Sequence, residues 1–163
     1  MLRHVLPIAF GLRPALVYRM IESRLSEIVP LNSHLGIEIV SIGDGIAETR
    51  LPFRREITNH IGTVHATAIF GLAEAASGGA MSGAFAPVAL AIRPVAAAAS
   101  IAFARTARSS LTARARSTRG SHELREALSR DGKVVFDVAV QVTDDADADI
   151  AEITVSWHIS RKA

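Results

Sequence analysis

A run of twenty residues, Ala66 to Phe85, constrains this chain more than any other stretch. It is built of alanine, glycine and larger apolar residues, and Glu74 is its one ionisable side chain. As a helix it extends about 30 Å, the diameter of a small domain. A helix that is apolar all round must be covered all round, so the remaining residues have to wrap it. A polar loop, Asn59-His60-Ile61-Gly62-Thr63-Val64-His65, feeds directly into it.

The apolar text from residue 66 to 90 is long enough to raise the question of a membrane span. It contains Glu74 and four glycines and lacks aromatic or basic anchors at its ends, so a buried helix is the better reading. No membrane partner is expected.

Composition narrows the options. One hundred and sixty-three residues, 49% apolar but only 5% aromatic, make one domain with a core of Ala, Val, Ile and Leu. There is no cysteine, which excludes disulfides, thiolate metal sites and a cysteine nucleophile. That is compatible with a reducing, cytoplasmic setting. The net charge is +2 and aromatics do not interleave with the arginines, so no nucleic-acid partner is expected. Residues 1–10 hold a basic residue and an apolar patch, but Pro7 and Arg13 interrupt them and no small-residue cleavage site follows. A signal peptide is not expected.

In chain order, Leu16, Val17, Met20, Ile21, Leu25 and Ile28 recur at three-to-four spacing with charged residues opposite. This predicts an N-terminal amphipathic helix over 14–29, ended by Pro30. Strands are predicted at 36–42 and 46–51, joined by the turn Gly43-Asp44-Gly45. The loop 53–64 leads to the central helix, 65–84. Strands follow at 98–105 and 110–117, the first weakened by its alanines. Residues 120–130 read as a short helix or loop. Residues 132–143 alternate cleanly, with Val134, Phe136, Val138, Val140 and Val142 on one face. An acidic turn, 144–149, leads to a last strand at 150–159. With neither a repeat nor βαβ alternation, the order favours an antiparallel α+β fold.

A carboxylate inside an apolar helix loses solvation, and its pKa rises. Glu74 is therefore a candidate general base or nucleophile, weighed against a structural carboxylate paired with backbone or arginine. The loop is a candidate for binding a developing negative charge. Backbone N–H groups at a helix N-terminus lack partners, and His65, Ala66 and Thr67 stand there. Asn59 and His60 offer hydrogen bonds, although Asn and Gly are ordinary loop residues and either histidine can be a cap. His65 and Glu74 lie nine residues apart, about 13–14 Å along a helix and on opposite faces. One chain cannot bring both to one reacting atom. If both act, they come from different subunits of a dimer.

The pattern Asn59-x-x-Gly62-Thr63-x-His65, with Leu72 and Glu74 downstream, resembles the acyl-CoA thioesterases of the hot-dog fold. The likeness is to the phenylacetate-pathway type and to the group called domain of unknown function 4442. It covers residue 31 to the C-terminus and includes Phe103 in a Phe-x-Arg segment. The resemblance implies an antiparallel sheet wrapped around one central helix at 31–163, with residues 1–30 as a helical segment packed on it. It implies a homodimer or dimer of dimers that hydrolyses an acyl-CoA and needs no cofactor or metal. Carried over, Glu74 is base or nucleophile, Asn59 orients water or substrate and His65 stands at the helix start. The N–H near Thr67 polarises the thioester, Ser77 assists, and His60, Gly62, Thr63 and Ala66 line the substrate. Many relatives have Gly-Gly after the histidine. Ala66-Thr67 stands there instead, and its side chains reshape the oxyanion site.

Other signals rank lower. Arg105, Arg108, Arg114, Arg116 and Arg119 suit the phosphates of coenzyme A or a solvated strand edge equally well. Asp145, Asp147 and Asp149 hint at calcium, but Ile150 and Ser156 occupy the positions where a calcium loop needs Gly and Glu. Two rival functions remain: a hydratase or dehydratase pairing His60 with Glu74, and a non-catalytic acyl-CoA binding protein.

Overall fold

The structure is a computed structural model that describes residues 16–20 and 29–162. Residues 16–20 are helical; 14–15 and 21–28 of the helix expected over 14–29 lie outside the described residues, and Val29 is not helical but extended, at the start of the next helix. Pro30 opens a helix of its own, α1 (Pro30–Leu35), where it occupies the first turn. A missing N–H costs nothing there.

Six strands form one antiparallel sheet: β1 (Glu38–Gly43), β2 (Ile46–Leu51), β3 (Ile92–Phe103), β4 (Leu111–Ser117), β5 (Lys133–Asp144) and β6 (Asp149–Arg161). Their spatial order is β1-β2-β4-β5-β6-β3. The long helix α2 (Ala66–Ala84) lies against the inner face, and α3 (Ser121–Asp131) closes one end. This is the hot-dog arrangement that the resemblance implied. No helix among the described residues is long and apolar enough to cross a membrane.

The strands alternate as the sequence predicts. In β5, Val138 and Val142 are fully buried while Lys133, Val135 and Gln141 face out. In β6, Val155 and Ile159 point inward. Across the layer, Leu72, Ala73, Ala76, Ala80 and Ala84 of α2 are completely covered. Alanine on that face lets helix and sheet approach closely. The limit is at Gly83, where an added Cβ would stand 1.9 Å from the Gly43 carbonyl oxygen. A methyl group cannot fit, so this position requires glycine.

The expected strand at 98–105 instead starts at Ile92 and ends at Phe103. Its first half, Arg-Pro-Val-Ala-Ala, carries little strand propensity. Pairing supplies what propensity does not. β3 runs antiparallel to β6, with Pro94 opposite Ile159 and Ala96 opposite Trp157. Pro94 is tolerated because β3 is the sheet's edge and has a neighbour on one side only.

α2 is fastened at its far end by α3. Arg125 donates to the Ala84 carbonyl at 2.5 Å, where the helix dipole favours a cation. The acidic turn, 144–149, is a local device: one Asp144 carboxylate oxygen accepts from the N–H groups of Ala146 and Ala148.

Candidate active site

Two features meet the chemical expectations, the loop from Asn59 to His65 and the carboxylate of Glu74. The loop is built around Asn59. Its Oδ1 accepts from the N–H of Ile61 and of Thr63, each at 3.1 Å. Its Nδ2 donates to the Thr63 hydroxyl at 2.8 Å. The main chain closes the same turn, with Asn59 N–H on the Thr63 carbonyl and Gly62 N–H on the Asn59 carbonyl. Gly62 takes a φ of +72°, a left-handed conformation that favours glycine. Asn59, expected to orient water or substrate, thus has its acceptor oxygen fully occupied by the loop. Among the described residues nothing accepts its second amide hydrogen.

The loop is tied down from outside. Arg108 donates to the carbonyls of Ile61 and Gly62. Val64 N–H reaches the Ala107 carbonyl, and His65 N–H reaches that of Ile57. The guanidinium expected at a phosphate is therefore holding the loop. Arg105 is exposed, with no side-chain partner among the described residues. His60 is exposed at the loop tip, and Thr63 is buried beneath it.

At the helix start, His65 is the N-cap and its Nδ1 accepts from the Thr67 N–H at 3.0 Å. The N–H expected to polarise a thioester is thus engaged within the chain. Ala68 and Ile69 N–H groups bond to the His65 carbonyl. The Ala66 N–H meets no protein acceptor among the described residues, and it is the donor left open at this terminus.

Glu74 lies about 13 Å further along α2, on the opposite side from His65. Thr67, Phe70, Gly71, Glu74, Gly78 and Ser82 form the stripe that the sheet leaves partly uncovered. Glu74 is half-buried, and burial pushes its carboxyl above the usual glutamate range. No hydrogen bond or ion pair holds the carboxylate among the described residues. Among the described residues, no arginine pairs with it.

Ser77 sits one turn on and is fully buried. Its hydroxyl donates to the Glu74 main-chain carbonyl at 2.8 Å and accepts from the Trp157 indole N–H at 3.2 Å. Its expected place beside a substrate is therefore taken by contacts within the core. From β2, the buried Thr49 hydroxyl donates to the Leu72 carbonyl at 3.1 Å. Sequence reasoning passed over Thr49 and Trp157. A lone tryptophan on an inward strand face was the available signal, because a buried indole N–H needs an acceptor.

One groove lies elsewhere. It has a volume of about 560 Å³ and sits on the sheet's outer face among Glu48, Arg114, Arg116, Gln141 and Glu152. Arg114 and Arg116, two of the arginines weighed for the phosphates of coenzyme A, line it, whereas Glu74 and the residues of the loop do not. Among the described residues, no group of acidic and histidine side chains is arranged to hold a metal.

The family described as "Domain of unknown function (DUF4442)" matches residues 19–159. No curated protein matches the sequence. Many solved structures share the fold. A conserved protein from Pseudomonas aeruginosa aligns with a TM-score of 0.70 at 23% identity, over 84% of this chain and 98% of its own. The PaaI protein of the Escherichia coli phenylacetic acid degradation operon gives 0.66 at 20%, over 93% and 97%. A thioesterase from Haemophilus influenzae gives 0.70 at 19%, over 86% and 90%. At these identities the likeness is one of fold.

Proposed function

The chain belongs to the DUF4442 family, and on that premise we propose that it is a thioesterase hydrolysing acyl-CoA, with each active site shared between two protomers. The observation that carries the reading is the state of Glu74: half-buried, raised in pKa, without a partner among the described residues and on the partly uncovered stripe of α2. Such a carboxylate has proton affinity to offer to a bound water. The H. influenzae thioesterase of like fold lends the chemistry by analogy.

In this mechanism the ionised Glu74 takes a proton from water as the water oxygen attacks the thioester carbonyl. The carbonyl oxygen gains negative charge and is stabilised by the Ala66 N–H at the positive end of α2 of the other protomer. The C–S bond then breaks, and the thiolate leaves with the proton that Glu74 had accepted. The free acid and CoA depart. In this reading the second Asn59 amide hydrogen meets the carbonyl side and the exposed Arg105 meets the CoA phosphates.

Support for a homodimer comes from β3. It is twelve residues long, lies at the sheet edge and is exposed along nearly all its length. From Pro94 to Phe103 it carries no charge. Long, uncharged edges pair with another strand, and a second copy of β3 supplies one. That pairing also answers the geometric problem, because Glu74 and the helix start of one chain cannot face each other.

One observation favours a second reading. With the Thr67 N–H engaged by His65, the oxyanion site keeps a single main-chain donor, and an acyl-CoA binding protein without turnover fits that. Purified protein given a panel of acyl-CoA thioesters decides between them by the release of free thiol. Release that disappears in Glu74→Gln supports the enzyme. Tight binding without release supports the binding protein, and neither binding nor release refutes both.

A further inference from the structure

We propose that Trp157 is a positioning residue for Glu74: through Ser77 it fixes, from the sheet, the helical turn that aims the carboxylate. This inference rests on the catalytic reading of Glu74 and goes beyond it, because it concerns how a carboxylate with no hydrogen bond among the described residues is held in place.

Side-chain partners ordinarily orient a catalytic carboxylate. Here the described residues supply none, so only the main chain beneath Glu74 sets its direction. That main chain is gripped at two carbonyls. The buried Thr49 hydroxyl of β2 donates to Leu72, and the buried Ser77 hydroxyl donates to Glu74 itself. A serine bonded back to its own helix is common and by itself fixes nothing outside the helix. Ser77 differs because its oxygen also accepts the Trp157 indole N–H. The link therefore runs from β6, through indole and hydroxyl, to the Glu74 carbonyl.

The indole is itself held. Trp157 is 7% exposed and lies opposite Ala96 of β3 and Phe136 of β5 in the sheet register. α2 passes directly over it: a Cβ at Gly78 would stand 3.7 Å from the indole Cζ2 and 3.9 Å from Cη2, ordinary contact. Thr49 and Trp157 thus grip adjacent parts of the same turn from different strands of one sheet. Neither side chain needs to reach the substrate. A displacement near 1 Å at a reacting group costs about a hundredfold in rate, so a looser turn lowers turnover without altering substrate affinity.

The test compares the full-length wild type with Trp157→Phe, which keeps an aromatic ring but removes the N–H and part of the indole's volume, and with Leu124→Val, a volume loss in the buried face of α3, as a packing control. Expected for Trp157→Phe is a fall in kcat of about tenfold, part of the hundredfold scale for misplacement, with KM within about twofold and assembly unchanged. In the Ser77→Ala background the same substitution adds little, since the link is already cut. The pH profile of kcat moves with Trp157→Phe and stays in place with Leu124→Val. An unchanged kcat and pH profile in folded Trp157→Phe overturns the proposal, as does an equal change in the packing control. A second readout does not depend on turnover. The Glu74 carboxyl, followed by carbon NMR with labelled glutamate, should titrate at a different pH in Trp157→Phe. If the wild type releases no thiol, the catalytic reading has failed, and this titration still decides whether Trp157 places Glu74.

Discussion

His65 Nδ1 accepts the Thr67 N–H at 3.0 Å, so the side chain that begins α2 also occupies one of its open donors. A helix N-terminus without a cap offers several N–H groups to an anion. This one is narrowed to Ala66 by its own histidine. Replacing His65 by Ala should therefore have two separable effects. Loss of the cap costs about 1 kcal/mol, which lowers Tm by roughly 2–4 °C at this chain length. The Thr67 N–H becomes available at the same time. Calorimetry reads the first effect and binding of an acyl-CoA reads the second. An unchanged Tm would show that the cap contributes nothing.

Asn59 should behave as a loop residue first. Asn59→Ala leaves the N–H groups of Ile61 and Thr63 without their acceptor, a cost of about 1–3 kcal/mol where such groups are shielded from water. Asn59→Asp keeps the acceptor and loses only the donation to Thr63, so it should lose less stability. Chemical denaturation of both variants gives the order. The reverse order contradicts the assignment of Oδ1 to the loop.

Burial raises the Glu74 carboxyl above the usual glutamate range. An acid with a higher pKa when folded makes the native state bind more protons than the unfolded one. Stability then falls as pH rises from the ordinary glutamate value through the raised folded one. Wild type and Glu74→Gln should match in stability at the acid end of that window. Above it, Glu74→Gln should be the more stable. Activity runs the other way: the base must be ionised, so kcat drops as pH falls through the raised value. Thermal melts and rates across the same pH series check both signs, and a Glu74→Gln protein less stable at neutral pH refutes the first.

If β3 is where two copies pair, charge on that edge should separate them. Ala98 and Ser100 both lie on the exposed outer run of β3. Ala98→Lys with Ser100→Lys places like charges along the edge at little cost to the monomer, a device by which natural edge strands avoid pairing. Sedimentation should then find a folded monomer, and the monomer should lack turnover although Glu74 and the loop are intact. A fully active monomer contradicts the shared site.

Much of this fold can be read from the residues, and the exceptions share one physical reason. β5 and β6 announce themselves by alternation, and α2 by an unbroken apolar run that begins after a polar loop. The first half of β3 is silent because alanine and proline carry no strand signal, and its conformation comes from pairing with β6. Glu74 is legible as the one ionisable group in its helix. The inward turn of Asn59 is not, since its partners depend on a loop curvature set by Gly62 at positive φ. Ser77 appears free until Trp157, eighty residues later, is brought beneath it. In each case the missing information is a partner distant in sequence or a curvature of the chain.

The shared site is tested most directly by mixing. Glu74→Gln and Asn59→Ala proteins, each inactive alone, are combined, unfolded and refolded together. In a two-fold dimer whose sites each take Glu74 from one chain and the loop from the other, every hybrid has one site with both parts intact. Random pairing makes about half the dimers hybrids, so about a quarter of wild-type activity should return. If each chain carries a whole site, no hybrid contains an intact one, and the mixture stays as inactive as its parents.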